Sequence, residues 1–157
     1  MTFPTPFNIL TPLALAAILA TPIAALATTE TCIAVNDAEI ASLFDRWNSS
    51  LRTGEPARVV ANYAVESILL PTLSNQPRLT PDEKQRYFES FLKKQPQGTI
   101  NFRDIMLACN TAIDAGIYTF RFGDGTTVQA RYTFTYQWDG QQWLITSHHS
   151  SAMPEKS

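Results

Sequence analysis

The C-terminal stretch from Arg131 to Pro154 constrains the fold of this chain more than any other segment. Its first part, Arg-Tyr-Thr-Phe-Thr-Tyr-Gln-Trp, is rich in aromatic residues and threonine, which favour strands. The pair Asp139-Gly140 follows and tolerates the positive φ of a tight turn. A second strand-like run ends in the polar cluster His148 to Ser151, followed by Ala-Met-Pro. The pattern therefore predicts two antiparallel strands at the end of this sequence.

Helical periodicity marks the N-terminal half of the expected domain. Asp37 is a good N-cap, and the apolar residues after it recur with helical spacing. The members of this stripe are Ile40, Leu43, Phe44, Trp47 and Leu51. Gly54 ends the helix, and Pro56 opens a short second helix. A third helix is predicted to begin at the capping box Thr80 to Glu83.

Strand-like segments make up most of the remaining sequence. A short strand, Ile68 to Thr72, is expected between the second and third helices. Three or four further strands are expected after the third helix, over Thr99–Cys109, Ala112–Phe122, Thr127–Trp138 and Gln142–Ser151. A phase shift in the alternation near residues 103–104 indicates a β-bulge. A curved antiparallel sheet packed on one face by helices buries a core and can leave a pocket.

The C-terminal hairpin with its polar ending, behind an amphipathic helix, resembles the association (hub) domain of calcium/calmodulin-dependent protein kinase II. That domain belongs to the nuclear-transport-factor-2-like superfamily, whose fold is a cone-shaped α+β structure. The resemblance covers about Asp37 to Pro154. It implies a curved antiparallel sheet packed by about three N-terminal helices. The order helix, Gly-x-Pro, short helix and strand is the usual opening of this superfamily, in agreement with the local patterns.

Residues 7–27 differ in kind from the rest, because they are apolar and small and include no acid or base. They end in Ala25-Leu26-Ala27, an A-x-A site. The pattern predicts a signal peptide over residues 1–27, a short extension over 28–36 and a hub-like domain over 37–154. An uncleaved membrane anchor is the alternative, since the n-region has no Lys or Arg. Pro12 and Pro22 disfavour a spanning helix.

The chain has two cysteines, Cys32 and Cys109. Export would place them where disulfides persist. We therefore expect a disulfide that attaches the mature N-terminus to the sheet. The alternative is two unrelated thiols, with Cys109 buried as a small apolar residue.

Several partner and cofactor classes are not expected. The net charge is −2 and there is no basic stripe, so no nucleic-acid partner is expected. The sequence has no kinase signature and no basic amphipathic helix typical of calmodulin targets, so we expect neither kinase activity nor calmodulin binding from this chain. No cofactor motif is present. Because His148 and His149 are adjacent on a strand and point to opposite faces, they cannot readily share a metal.

The resemblance also directs attention to a ligand pocket. In the kinase hub this pocket is lined by arginines that bind small carboxylates, and the matching positions here hold Tyr118, Phe134 and Ser150. Alignment on the hub tryptophan, Trp143 here, places His149 and Ser151 on that family's His and Ser. The positive charge of the hub pocket is therefore missing at the matching positions.

We predict that Tyr118, Arg131 and His149, together with Arg103, approach a cavity between the sheet and the helices. An arginine among aromatic residues suits a carboxylate ligand, which it can bind by a bidentate pair. The alternatives are that the arginines pair with acids at a subunit interface and that His149 is a hydrogen-bonded structural residue.

These patterns favour an exported, stand-alone association-type domain that holds a small ligand, a carboxylate by class, in its cone. It should self-associate as a dimer or larger, because helices on one side of the sheet cannot cover the aromatic residues of both faces. These aromatic and apolar residues include Tyr132, Phe134, Tyr136, Trp138, Trp143 and Ile145.

A small enzyme of the SnoaL or ketosteroid-isomerase kind is the second hypothesis. Asp114 is its candidate carboxylate, because apolar neighbours would raise its pKa and suit it to acid–base chemistry. A turn or edge-strand aspartate is the simpler interpretation.

Export predicts that the mature protein begins at Thr28. Mass spectrometry of protein from its native host checks this. Intact protein that still contains Met1 in the membrane fraction would contradict it.

Overall fold

The computed structural model describes residues 31–72 and 74–154, so the predicted signal peptide lies outside the described residues. The helices are α1 (Asp37–Leu51), α2 (Pro56–Val60) and α3 (Pro81–Phe91), and a 3-10 turn, Leu92–Lys94, extends α3. The strands are β1 (Tyr63–Leu70), β2 (Gln97–Ala108), β3 (Thr111–Arg121), β4 (Thr127–Trp138) and β5 (Trp143–Ala152). The fold is α+β, as predicted. In the described part of the chain, no helix is long and apolar enough to cross a membrane.

The five strands form one sheet in the order β1-β5-β4-β3-β2. Strands β2 to β5 pair antiparallel with their chain neighbours, whereas β1 runs parallel to β5. The mostly antiparallel sheet confirms the predicted architecture, and β1 with β5 is its parallel pair. No hairpin turn links β1 to β5, so their direction is not set by a short connection. The predicted bulge in β2 is present, with the shift between Ile100 and Phe102.

Both long helices begin with a capping box. Asn36, one residue before the predicted Asp37, caps α1 by accepting from the Glu39 backbone, and the Glu39 side chain accepts from the Asn36 backbone. Thr80 and Glu83 form the predicted box at the start of α3. Side chains thus satisfy backbone N–H groups that have no partner within the helix.

The core lies between the helices and one face of the sheet, which we call the inner face. Trp47 of α1 packs edge-on to Phe134, with ring centroids 5.5 Å apart, and Phe44 stacks on Tyr132 at 6.3 Å. Phe88 of α3 packs against Tyr63. The aromatic residues of β4 that were expected to need a partner subunit are therefore covered by the chain's own helices.

The opposite face of the sheet, the outer face, carries a different apolar set. Phe102 and Met106 of β2 are 59% and 50% exposed. They pair with Ile117 and Ile113 of β3, whose side chains point to the same face. The uncovered apolar surface is therefore made by β2 and β3, and not by the aromatic residues of β4 and β5.

A buried lysine attaches the loop before α3 to the sheet. The Lys84 Nζ donates to the backbone carbonyl oxygens of Ser67, at 2.8 Å, and Leu79, at 2.7 Å. Its side chain is fully buried, and burial lowers the pKa of its ammonium group. These two hydrogen bonds hold in place a loop that forms one wall of the cavity described below.

The segment before α1 is fixed to the end of β2 by the disulfide between Cys32 and Cys109. Both cysteines are exposed, so the alternative of a buried Cys109 thiol is wrong. The Asn110 side chain supports the same junction, accepting from the Ile33 backbone N–H and donating to the Thr31 carbonyl oxygen.

Replacement of both cysteines, Cys32→Ser with Cys109→Ser, should lower the free energy of unfolding by about 2–4 kcal/mol, because the bridge closes a long loop in the unfolded chain. Urea unfolding of the two proteins at equal concentration measures the difference. Equal midpoints would contradict a stabilising role for the bridge.

Candidate functional site

A cavity of about 640 Å³ lies between the inner face of the sheet, α3 and the loop after β1. Its walls are largely apolar and include Leu69, Tyr87, Phe88, Phe91 and Phe120. Four polar residues at one end form what we call the polar end: Thr72, Tyr118, His148 and Ser150. The volume lies within the range of sites that hold small molecules.

Ser150 is the centre of a hydroxyl cluster at the polar end. The Tyr118 hydroxyl donates to Ser150 Oγ over 2.6 Å, and the Thr72 and Ser150 hydroxyls are also hydrogen-bonded to each other. Parallel pairing of β1 with β5 places Leu70 opposite His149, so Thr72, just beyond β1, comes beside Ser150. The parallel pairing of β1 with β5 therefore brings Thr72 into the hydroxyl cluster.

The His148 ring is held between aromatic rings. It stacks on Phe134 with centroids 4.0 Å apart and lies edge-on to Trp47 at 5.3 Å. Its Nδ1 is hydrogen-bonded to the Tyr63 hydroxyl over 2.8 Å, whereas Nε2 has no hydrogen-bond partner among the described residues. Burial, and secondarily the neighbouring His149, lowers the pKa of His148 to about 3. The imidazole is therefore neutral at physiological pH.

A β-bulge decides which residues of β5 face this cavity. The pairing runs Tyr136 with Ile145 and then Thr135 with Ser147, so Thr146 is an extra residue on β5. Trp143 and Ile145 point inward before the bulge, and His148 and Ser150 point inward after it. Unbroken alternation from Trp143 would have put residues 149 and 151 inward instead.

The structure brings only Tyr118, of the four predicted pocket residues, to the cavity. His149 is exposed on the outer face, as the bulge requires. Arg131 is also exposed there, and it donates to Ser151 Oγ at 3.2 Å and to the Ala152 carbonyl oxygen at 3.3 Å. Both side chains therefore lie on the face of the sheet opposite the cavity, and not in the cavity as predicted.

Arg103 lies on the inner face but is not part of the cavity wall. Its Nε donates to Asp114 Oδ1 over 3.1 Å, and its guanidinium lies over the Phe44 ring at 5.8 Å. The Tyr132 hydroxyl donates to the same carboxylate oxygen over 2.7 Å. The arginine pairs with an acid of its own chain.

Asp114 is a buried residue in the middle of β3, so its interpretation as a turn or edge-strand aspartate is wrong. Burial raises the pKa of its carboxyl group, while the hydrogen bonds from Tyr132 and Arg103 act in the opposite direction. It does not belong to the residues that line the cavity.

Charged side chains among the cavity-lining residues form a rim, which we define as Arg78, Glu83, Arg86 and Lys94. Glu83 is occupied by the capping box, because its Oε2 accepts from the backbone N–H groups of Leu79 and Thr80. The rim thus carries three cations and one engaged carboxylate, although the whole chain has a net charge of −2.

Sequence reasoning missed His148 and Thr72 as pocket residues, and it missed the rim cations. Correct assignment of His148 required the bulge, and Thr72 required the direction of β1. The helical phase of α3, set by its predicted capping box, was a signal that could have directed attention to Arg86.

Within residues 31–72 and 74–154, no group of three or more His, Cys, Asp or Glu side chains could hold a metal ion.

Comparison with known proteins identifies related sequences and folds. Residues 36–154 match the family described as calcium/calmodulin dependent protein kinase II association domain. A Xanthomonas campestris protein assigned to that kind of domain has a crystal structure that is 45% identical, with a TM-score of 0.73, over 82% of this chain and 99% of that protein. No curated protein matches this chain.

Two more distant structures share the fold. A nuclear-transport-factor-2-like protein of unknown function from Pseudomonas putida is 18% identical, with a TM-score of 0.67, over 77% of this chain and 89% of its own. An iota-carbonic anhydrase from a cyanobacterium, complexed with bicarbonate, is 18% identical with a TM-score of 0.71. The match covers 83% of this chain and all of that one.

The neutral state of His148 predicts how stability depends on pH. The unfolded chain takes up a proton on this residue below about pH 6.5, whereas the folded chain does not until about pH 3. Stability should therefore fall as the pH drops below 6.5, by on the order of 2 kcal/mol between pH 7 and pH 5.

Urea unfolding of wild type, His148→Gln and His149→Gln at both pH values isolates this contribution. The loss should disappear in His148→Gln and persist in His149→Gln, because His149 is exposed. An equal pH dependence in wild type and His148→Gln would contradict a buried neutral imidazole.

Proposed function

Because this chain belongs to the calcium/calmodulin-dependent protein kinase II association domain family, we propose that it is an exported, stand-alone domain that self-associates and binds a small carboxylate-like anion in its cavity. The observation that carries the ligand class is the convergence of hydroxyl groups and a neutral imidazole at the polar end. The cationic rim supports the same charge for the ligand.

The polar end is equipped to donate hydrogen bonds. The Tyr118 hydroxyl uses its proton on Ser150, so the proton of Ser150 or that of Thr72 is left for a ligand. Hydrogen bonds to a charged acceptor are stronger than those between neutral groups, and a carboxylate accepts several at once. Among the described residues that line the cavity, the carboxylate side chain is that of Glu83 in the rim, so none repels an anion at the polar end.

The charge of the rim and the apolar character of the walls indicate the other properties of the ligand. Cations near the entrance of a low-dielectric cleft raise the local concentration of anions. The apolar walls favour a compact apolar or aromatic body attached to the anionic group. Benzoate is a probe with both properties, and bicarbonate is a probe with the anionic part alone.

Interconversion of carbon dioxide and bicarbonate is the second candidate function. The observation that favours it is that the similarly folded iota-carbonic anhydrase binds bicarbonate, a trigonal oxyanion that the donors of the polar end also suit. In this reaction carbon dioxide and water give bicarbonate and a proton. Hydroxyl donors placed at the polar end would stabilise charge that develops on the carbon dioxide oxygens.

An isomerase-like mechanism receives less support. It needs a carboxylate in the pocket, and Asp114 is paired with Arg103 and Tyr132 outside the cavity wall. The chain also has no kinase signature, so the proposed function includes no kinase activity.

Export is supported by two features. Residues 7–27 have the apolar character and A-x-A ending of a signal peptide. The disulfide between Cys32 and Cys109 is of a kind that persists in oxidising compartments.

Self-association is supported by the family and by the outer face. Phe102 and Met106 form an exposed apolar surface with Ile113 and Ile117, and the described helices all pack on the other side of the sheet. Exposed apolar surfaces of this kind mark interfaces between proteins. A homodimer that joins outer faces leaves each cavity open to ligand.

Anion binding is tested with a pair of adjacent serines. Ser150→Ala should weaken benzoate and bicarbonate by about 10- to 100-fold, because it removes a hydrogen bond to a charged group. The matched control Ser151→Ala, on the outer face, should leave affinity unchanged. Isothermal titration calorimetry measures both.

Equal effects of the two serine variants, or no binding by wild type, would contradict an anion site at the polar end. Stopped-flow measurement of carbon dioxide hydration on the same proteins tests the second candidate. Hydration above the buffer rate that is lost only in Ser150→Ala supports it, and an unaccelerated rate with wild type rejects it.

Self-association is tested by charging the outer face. The double change Phe102→Glu with Met106→Glu should give a monomer at micromolar concentration, because it would bury carboxylates in the interface. Leu79→Glu is the control, since Leu79 is similarly exposed, at 54%, but lies in the loop before α3. Light scattering that finds wild type monomeric, or the same mass for wild type and the double variant, would contradict the proposal.

A further inference from the structure

We infer that Tyr63 is a positioning residue that fixes His148 in the tautomer with its proton on Nε2, through a hydrogen-bond chain from Trp47 to Tyr63 to His148. The tautomer follows from the geometry of these three side chains alone. Its consequence for ligand binding rests on the anion-binding function proposed above.

Trp47 sets the direction of donation along this hydrogen-bond chain. Trp47 Nε1 lies 3.1 Å from the Tyr63 hydroxyl, and an indole N–H can only donate. The Tyr63 oxygen therefore accepts from Trp47. Its single hydrogen is then free to be given to His148 Nδ1, which lies 2.8 Å away.

The reverse arrangement leaves two buried groups unsatisfied, the Tyr63 hydroxyl hydrogen and the Nε2 lone pair, whereas the favoured one leaves only the Nε2–H group. If Nδ1 carried the proton, the Tyr63 oxygen would accept from both Trp47 and His148, and its own hydrogen would have no acceptor. All three side chains are buried, so that hydrogen could not turn to bulk water. Burial also raises the pKa of Tyr63 well above its ordinary value, which keeps the hydroxyl protonated.

A neutral imidazole that accepts at Nδ1 carries its proton on Nε2. This Nε2–H group is buried, has no partner among the described residues, and belongs to a side chain that lines the cavity. It supplies a further donor beside Ser150. With the other tautomer, a nitrogen lone pair would stand there and repel an anion.

The hydrogen-bond chain from Trp47 through Tyr63 to His148 therefore determines the charge of the ligand that the polar end accepts. It favours an acceptor such as a carboxylate or bicarbonate oxygen. It also disfavours proton abstraction by His148 Nε2, because that nitrogen already holds the proton. Tyr63 acts only through His148, since it is not itself a wall of the cavity.

The experiment is an NMR measurement of imidazole nitrogen shifts in ¹⁵N-labelled ligand-free protein at pH 7. His148 and His149 are the only two histidines of the chain, so a His149→Gln variant assigns the signals. Wild type should show a protonated Nε2 and an unprotonated Nδ1 on His148. Tyr63→Phe should give a mixture of tautomers and weaken benzoate binding several-fold.

Tyr136→Phe is the matched control. Tyr136 is also a buried inner-face tyrosine, and its hydroxyl has no partner in the described part of the chain. This variant should keep the wild-type tautomer. A general effect of removing a buried tyrosine hydroxyl would instead alter both variants alike.

A protonated Nδ1 in wild type, or an unchanged tautomer in folded Tyr63→Phe, would overturn the inference. The wild-type spectrum alone decides if Tyr63→Phe does not fold. Because the tautomer is read without ligand, its outcome is independent of whether benzoate binds. Loss of benzoate binding in every protein, with the expected tautomers, would reject the anion-binding function and leave the tautomer assignment standing.

Discussion

The extra residue Thr146 in β5 is the constraint on which the site depends. Side chains alternate along a strand, so one inserted residue exchanges the inward and outward sets beyond it. The register shift between β4 and β5 turns His148 and Ser150 toward the cavity and leaves His149 exposed on the outer face. The hydroxyl cluster and the buried imidazole both follow from this shift.

The site combines hydrogen-bond donors with burial and carries no fixed charge at its polar end. His148 is neutral because protonation would place a charge among aromatic rings. The only carboxylate of the rim, Glu83, accepts hydrogen bonds from the start of α3. The cations of the rim therefore attract an anion to the entrance. The neutral donors of the polar end then replace the hydrogen bonds to water that the anion loses on entry.

Local sequence signals predicted most of the fold and little of the site. The stripe of α1, the capping box at Thr80 and the hairpin around Asp139 each depend on residues close together in the chain, and all three are present. The site depends on two long-range features, the bulge at Thr146 and the parallel pairing of β1. Neither has a local residue pattern, so the alignment on Trp143 selected His149 in place of His148.

A crystal structure of the protein with bound benzoate tests the central claim most directly. The account predicts one carboxylate oxygen within hydrogen-bonding distance of Ser150 Oγ and His148 Nε2, with the ring against the apolar walls of the cavity. Benzoate bound to Arg131 and His149 on the outer face, with the cavity free of it, would contradict the account.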